Sequence, residues 1–535
     1  FGSSSGLRTA LDCPPDRRPR SPMMFRSQPA PALPRRPRLR RTTGHLALAA
    51  AAAGALVAAC ALQAGALASV NTGAAAPAQA APAPAPPANA PTPQGVLPVL
   101  AGAVLLAVRA HSSISAGTAV GKATATAGPP KAAKAKRIDA FDSMRFFLIF
   151  YIMCGHFVSF AGPSAFMYKL TTQINVVVGA FFVLSGYVAA YTTCEIGEKK
   201  AKDRVTATPA PAFIVPRIFG YWPLHLLVLL LFSPMFIFSD YTYSGPIITA
   251  WHALLSVTMT SAWFPLHAEI WNAPTWFLGA LTFATVLMPY FLPIIAKQGK
   301  KELRRTAVWL TLLGLLPKLG YCYDTRAWGL LEGALPAKQF VNLALFNSMR
   351  FNPVWAVIEV MLGVVACRLV MLDGTDGEAA PDVSTMDTAL PLAGMAAVLL
   401  LRAQGAMALS DMIVRPCIFM PLFILFLMGL HRASLPDRVT DPLAKFMALK
   451  PLTWLGGLSF PIFVVHGPLG QLFYKKAIAS KLFGGPMHVV CGPWFFWIYI
   501  LIVIAAAFLL NKYFMGSQKV AAWSKSAQTA VLKYL

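Results

Sequence analysis

The sequence predicts an all-α, polytopic integral membrane protein with about ten transmembrane helices and a low-complexity N-terminal leader. Of its 535 residues, 56% are hydrophobic and only 13% are charged, whereas a soluble domain usually carries about 25% charged residues. The apolar residues form long continuous runs. A transmembrane β-barrel would instead show apolar residues alternating with a period of two, so the pattern favours helices.

Ten apolar runs after residue 137 are long enough to cross a bilayer, which takes about 20 residues. They are 144–162, 174–193, 213–238, 275–296, 306–322, 352–371, 388–404, 412–430, 453–474 and 493–511. An eleventh run, 249–264, is short and amphipathic. If it crossed, the basic loop 297–305 would lie opposite the other basic loops and the tail, against the positive-inside rule. We therefore predict ten crossings with both ends cytoplasmic or stromal, and a segment 249–264 that re-enters or lies at the interface.

Residues 1–136 are predicted to be a disordered leader. The arginines of 35–41 precede the Ala/Leu-rich segment 46–70, which resembles a signal or signal anchor. An Ala/Pro tract follows at 74–95 and is typical of a linker. This series resembles the multipart leaders of proteins sent to complex plastids, so a secretory-pathway membrane and a plastid membrane both remain open. The predicted organisation is this leader, a transmembrane domain at 137–515, and a cytoplasmic-side tail at 516–535.

The charge and the cysteines exclude other classes of protein. The formal net charge is +25, but the basic residues lie in the leader and in loops between apolar runs, without the aromatic interleaving of a nucleic-acid surface. We therefore expect no nucleic-acid partner. The eight Cys are scattered and form no CxxC pair, so the sequence predicts no metal site.

The first predicted crossing carries two ionisable residues, Arg145 and His156, eleven positions apart. At about 100° per residue they share one helix face, and at about 1.5 Å per residue they are separated by roughly 16 Å along the axis. Arg145 is therefore expected at the basic membrane surface and His156 deep in the apolar layer. An ionisable residue at that depth indicates a functional site, although a core histidine bonded to a neighbouring helix is an equal alternative.

The second predicted crossing is rich in small residues. Gly179 and Gly186 lie seven positions apart on nearly one face, which allows another helix to approach closely. The hydroxyl of Ser185 can bond to a neighbouring helix. Helix packing is the favoured interpretation of these residues when they are considered alone.

Motifs along 137–470 together resemble the acyltransferase 3 family. The first two are Arg145 with His156 after ten intervening residues, and Phe-Phe-x-x-Ser-Gly at 181–186. Four further segments resemble family motifs in the same order: FIVPRIFGYWPLHLL (213–227), NAPTWFLGALTFATVLMP (272–289), VIEVMLGVVACRL (357–369) and WLGGLSFPIFVVHGPLG (454–470).

The resemblance implies transfer of an acyl group, usually acetyl, from acyl-CoA to a hydroxyl of a carbohydrate or lipid-linked acceptor. His156 matches the family's essential histidine and is expected to be the general base, while Arg145 is expected to hold the CoA phosphates or the pantetheine arm. Acyl-CoA is then a donor substrate, and no permanently bound cofactor is expected. Further residues expected at the CoA are Arg217, Ser185 and Gly186, and those expected at the substrate are Glu359, Trp276 and His466.

Some positions depart from the family pattern or carry alternatives. Arg217 matches the first of two arginines often found before the third crossing, but Gly220 occupies the second position, which puts CoA docking there in doubt. Glu359 could equally be a structural hydrogen-bond partner, and His466 could serve packing. A transporter with intramembrane ionisable residues and a non-catalytic family relative are the competing functions.

Overall fold

The computed structural model describes residues 137–193, 210–331, 333, 340–373, 383–435 and 441–535. These residues form helices, short 3₁₀ segments and connecting loops, and no β-strand occurs in the described ranges. The predicted all-α fold is therefore confirmed. The predicted leader, with its signal-like segment 46–70, lies outside the described residues.

The described residues contain the following α-helices. In chain order they are α1 Asp139–Phe157, α2 Ala165–Thr171, α3 Ile174–Thr193, α4 Ala210–Phe219, α5 Trp222–Thr258, α6 Trp276–Ala296, α7 Lys300–Thr325, α8 Leu343–Phe351, α9 Pro353–Met371, α10 Met386–Gln404, α11 Asp411–Val414, α12 Met420–Ala433, α13 Pro442–Met447, α14 Lys450–Gly457, α15 Ser459–Tyr474, α16 Lys476–Phe483, α17 Met487–Val490, α18 Phe495–Leu509 and α19 Gln518–Tyr534.

The protein is a multi-pass integral membrane protein. Within the described ranges, eight helical stretches are long and apolar enough to cross a bilayer, or nine when the pair α14 and α15, bent by 54°, counts as one span. Ten crossings were predicted, and the difference is the run 306–322. That run lies inside α7, a continuous helix of 26 residues, and Lys318 with several polar residues reduces its apolar character.

The helices α3 and α9 pack directly against each other because glycine removes the side chain at their contact. A Cβ atom added at Gly186 would collide with the backbone carbonyl of Val360, and one at Gly363 would collide with the carbonyl of Val183. Such close approach is the usual role of small residues between membrane helices. The close approach expected at Gly186 is therefore observed.

Helix α5 reverses direction at Gly245, whose φ of 78° and ψ of 173° interrupt the helix before Pro246. The second limb folds back along the first, since Trp222 Nε1 donates to the Val257 carbonyl at 3.3 Å and His225 Nε2 donates to that of Ser256 at 2.9 Å. A conformation with positive φ is readily adopted by glycine. This reversal is what re-entry of 249–264 requires, and the sidedness of the adjoining loops stays a prediction.

Candidate active site

A cavity of about 170 Å³ lies along α1 and contains both residues predicted from the first crossing. Arg145 and His156 line it, and so does Trp276 at the start of α6. We call it the His156 cavity. Arg145 and His156, which the helical spacing placed on one face of α1, therefore line the same cavity.

His156 is held from behind by a second histidine. His466 on α15 is fully buried; its Nδ1 lies 3.0 Å from the Ile462 carbonyl, and its Nε2 lies 3.2 Å from Nδ1 of His156. A carbonyl only accepts, so Nδ1 of His466 carries the hydrogen. In the neutral ring Nε2 then accepts from Nδ1 of His156. This series of hydrogen bonds leaves Nε2 of His156 unprotonated, and Nε2 has no hydrogen bond from the described residues.

Arg145 is fixed by an acidic neighbour one helical turn away. Its Nη1 donates to Oδ1 of Asp142 at 2.7 Å, and Nε of Arg137 donates to Oδ2 of the same carboxylate at 2.6 Å. The hydrogen bond and charge of Asp142 raise the pKa of Arg137 above its ordinary value. Because only Nη1 of Arg145 takes part in these bonds, its guanidinium keeps donors for an anionic ligand.

An arginine at the end of α8 enters the same cavity. Arg350 donates from Nε to the Asn175 side-chain oxygen at 3.1 Å and from Nη2 to Glu269 at 3.2 Å. All three residues line the His156 cavity. Glu269 also lines a second cavity, of about 410 Å³. Glu269 therefore borders both cavities.

The second cavity, which we call the Asp240 cavity, borders the C-terminal ends of α1 and α15. It is lined by Phe157 and Phe160 beside α1, by Lys475 after α15, and by Asp240 and His252 on the two limbs of α5. Burial lowers the pKa of Lys475, and Asp240 partly offsets this. The cavity thus lies at the end of α1 opposite Arg145.

Asp240 and His252, which line the Asp240 cavity, belong to a chain of hydrogen bonds that continues to His267. Nδ1 of His252 lies 2.7 Å from Oδ2 of Asp240, and Nε2 of His252 lies 2.8 Å from Nδ1 of His267. Burial, and secondly the neighbouring His252, lower the pKa of His267, while Asp240 acts in the opposite direction. No group of three or more His, Cys, Asp or Glu residues in the described part of the chain could hold a metal ion.

A family model for an acyltransferase domain, acyltransferase 3, matches residues 138–512. The chain belongs to the acyltransferase 3 family. Neither the curated proteins nor the solved structures compared with the chain give a match. Membership suggests an acyltransferase that works in a lipid bilayer on an acceptor molecule.

The remaining residues singled out from the acyltransferase 3 motifs lie in different surroundings. Arg217 donates to the Phe213 carbonyl at 3.0 Å and covers the ring of Phe213. Ser185 bonds within its own helix, to the Phe181 carbonyl at 2.7 Å, and Gly186 packs against α9. Arg217, Ser185 and Gly186 line neither of the two cavities described above. Their predicted contact with CoA stays a prediction.

Glu359 forms a buried ion pair. Arg415 donates to it from Nε at 2.7 Å and from Nη2 at 2.6 Å, and Nη1 reaches the Asn175 carbonyl at 3.1 Å. Glu359 lines neither cavity, so the structure favours its alternative role as a structural partner. His466 contacts His156 and lines neither cavity, so its predicted contact with the substrate stays a prediction.

Sequence reasoning missed several residues of this acyltransferase 3 site. Arg350, Glu269 and Asn175 lie on separate segments, and no spacing rule relates them. Asp240 and His252 carried a signal, because two ionisable residues flank a Gly-Pro pair at 245–246 inside an apolar stretch. That signal suggests a hairpin that brings the two side chains together, which is the arrangement observed.

Proposed function

We propose that the protein is an O-acyltransferase that moves an acyl group, in this family usually acetyl, from acyl-CoA to a hydroxyl of a carbohydrate or lipid-linked acceptor. The observation that carries the proposal is the chain from the Ile462 carbonyl through His466 to His156. It leaves a basic nitrogen, Nε2 of His156, on a ring that lines a cavity. A neutral imidazole is suited to general base catalysis near neutral pH.

In the proposed reaction, Nε2 of His156 accepts the proton of the acceptor hydroxyl while the hydroxyl oxygen attacks the thioester carbonyl. The carbon–sulfur bond then breaks, and the imidazolium returns the proton to the departing CoA thiolate. The products are the ester and CoA-SH, so no proton is gained or lost overall. His466 supports this cycle because its Nε2 accepts the Nδ1 hydrogen of His156 and keeps the ring oriented.

The two substrates are proposed to approach from opposite ends of α1. Arg145 keeps donors for the phosphates or the pantetheine arm of CoA, and its distance of roughly 16 Å along the helix from His156 suits an extended arm. The acceptor is proposed to enter through the Asp240 cavity. Glu269 borders both cavities, so this route leads toward the reacting groups.

Mass spectrometry of glycans and lipids tests the proposal in cells. Cells that express the full chain should contain molecules heavier by one acetyl group that are missing without the gene. Cells expressing His156→Ala at an equal protein level should match the cells without the gene. Unchanged glycan and lipid profiles in all three would contradict the proposed activity and favour a transporter or a non-catalytic relative.

A further inference from the structure

Asp240 presents one carboxylate oxygen to which none of the described residues donates a hydrogen bond. Its Oδ2 accepts from Nδ1 of His252 at 2.7 Å and from Nε1 of Trp271 at 3.1 Å. No hydrogen bond to Oδ1 comes from the described residues, and the side chain is only 13% exposed. Asp240 lines the cavity. Oδ1 is therefore free to accept a hydrogen bond from a molecule bound there.

The groups that hold Asp240 come from three separate segments. Asp240 lies on the first limb of α5 and His252 on the second, while His267 and Trp271 belong to the loop before α6. Nδ1 of His252 donates to the carboxylate, and in the neutral ring its Nε2 then accepts from Nδ1 of His267. His267 thereby fixes the tautomer of His252, and His252 in turn orients the carboxylate of Asp240.

Trp271 is held in an unusual backbone conformation while it contacts Asp240. Its φ is 47°, a value that is uncommon for a bulky residue and that clusters at functional sites. Nε2 of Gln471 donates to its carbonyl at 2.5 Å. The Trp271 ring stacks on Phe236, with centroids 5.6 Å apart. The loop is thus constrained so that the indole faces both the carboxylate and the cavity.

The walls of the cavity combine this carboxylate with flat aromatic rings. Phe160 and Tyr474 stack at 4.3 Å with an interplanar angle of 1°, and both line the cavity. A volume of about 410 Å³ lies within the range of small-molecule sites. A polyhydroxylated ring offers C–H faces to the aromatic rings and hydroxyl donors to the carboxylate. An acyl tail would offer no hydrogen-bond donor to the second oxygen of the carboxylate, Oδ1, which is costly for a polar atom in a mostly buried side chain.

We propose that Asp240 binds a hydroxyl of the acceptor other than the one that is acylated, and so selects a polyhydroxylated ring over a lipid with a single hydroxyl. This inference rests on the proposed function for its biological meaning. A site built to bond a hydroxyl discriminates strongly against analogues that lack it. Asp240 is therefore assigned as a specificity-determining residue of the Asp240 cavity.

Binding measured without turnover tests the inference on the full chain in lipid nanodiscs. Saturation-transfer NMR is recorded with methyl β-glucopyranoside, and with cyclohexanol as a six-membered ring bearing one hydroxyl. The wild-type protein should transfer saturation to the glucoside and much less to cyclohexanol. Asp240→Asn should raise the glucoside Kd by about 10- to 150-fold, the effect of losing a hydrogen bond to a charged group.

Two further variants keep the test decisive. Asp373→Asn is the matched control, since Asp373 is a carboxylate paired with Arg432 at 2.7 Å and lines neither cavity; it should bind like the wild type. His267→Ala leaves Asp240 in place and removes only its support, so it should weaken glucoside binding less than Asp240→Asn. If Asp240→Asn fails to fold in a melting assay, this second variant decides.

The inference is overturned if the wild type does not bind the glucoside, if cyclohexanol binds equally well, or if folded Asp240→Asn binds the glucoside like the wild type. Where Asp240→Asn does not fold, wild-type binding by His267→Ala overturns it. These outcomes are distinguishable from failure of the proposed function. Loss of acyl transfer from the wild type would leave the binding difference intact. Retained acyl transfer without Asp240-dependent binding would remove only the present inference.

Discussion

The His156–His466 pair and the His267–His252 pair share one design but end on different acceptors. In each pair Nδ1 of one ring donates to Nε2 of the other. The first pair ends on the Ile462 carbonyl within α15, and the second ends on the carboxylate of Asp240. A carbonyl fixes a tautomer without adding charge, whereas a carboxylate also stabilises a nearby positive charge.

The different acceptors suit the two histidine pairs to different roles. The pair in the apolar layer is suited to remain neutral at rest and to take up a proton only during a reaction. The pair at the Asp240 cavity ends on a carboxylate and holds it in place. In the proposed function, the same side-chain type would therefore serve as a base in one region and as a support in the other, according to the acceptor at the end of the hydrogen-bond chain.

The largest effect is expected from His156→Ala. It removes the proton acceptor and should lower the rate of acetyl transfer from acetyl-CoA by about 10²- to 10⁴-fold. The melting temperature should change little, because His156 lines a cavity. The measurement is transfer of labelled acetyl by the purified variant, per folded molecule. Full activity per folded molecule in this variant would remove the catalytic assignment of His156.

Substitutions of His466 separate orientation from packing. His466→Leu should lower the rate by roughly 10- to 100-fold, the loss usual when the partner that orients a functional imidazole is removed. His466→Gln should recover part of that loss, because its amide oxygen can accept the Nδ1 hydrogen of His156. Steady-state kinetics and a melting assay on both variants provide the check. Equal activity of Leu and Gln variants with equal stability would show that the hydrogen bond is unimportant.

Substitutions of Arg145 should affect only the binding of the acyl-CoA donor. Arg145→Ala is expected to raise the KM for acyl-CoA by about 10- to 150-fold, as a hydrogen bond to a charged group is lost. Arg145→Lys should recover only part, since a point charge replaces a bidentate fork. Arg432→Ala is the control, because Arg432 pairs with Asp373 and lines neither cavity. A fall in kcat at unchanged KM would argue against donor binding by Arg145.

The smallest effect concerns acid stability at the Asp240 cavity. The pKa of His267 is lowered in the folded protein, by burial first and by His252 second, so the unfolded chain binds more protons as the pH falls through about 6.5. Stability should therefore decrease on acidification from about pH 7.5 to about pH 5.5. Melting curves of His267→Gln should show a smaller decrease. An identical pH dependence in the variant would contradict this origin.

The sequence predicted the parts of the fold that depend on local pattern. Continuous apolar runs indicated the membrane helices, and the eleven-residue spacing placed Arg145 and His156 on one face. The pairing of Gly186 with another helix followed from its small size. The run 306–322 was predicted to cross but is not among the helices apolar enough to do so, because Lys318 and several polar residues lower its hydropathy. The direction in which the chain reverses at Gly245 depends on contacts between the two limbs of α5, which the sequence alone does not specify.

By itself the sequence determined the membrane class, the family motifs and the common face of Arg145 and His156, because all three follow from the order and period of residues along one segment. Only the tertiary structure decided that His466 supports His156, that Glu359 pairs with Arg415, and that Asp240 meets His252 and Trp271. Most of these contacts join segments far apart in the chain, and their geometry is set by helix packing. The contact between Asp240 and His252 lies within α5 and depends on the reversal at Gly245.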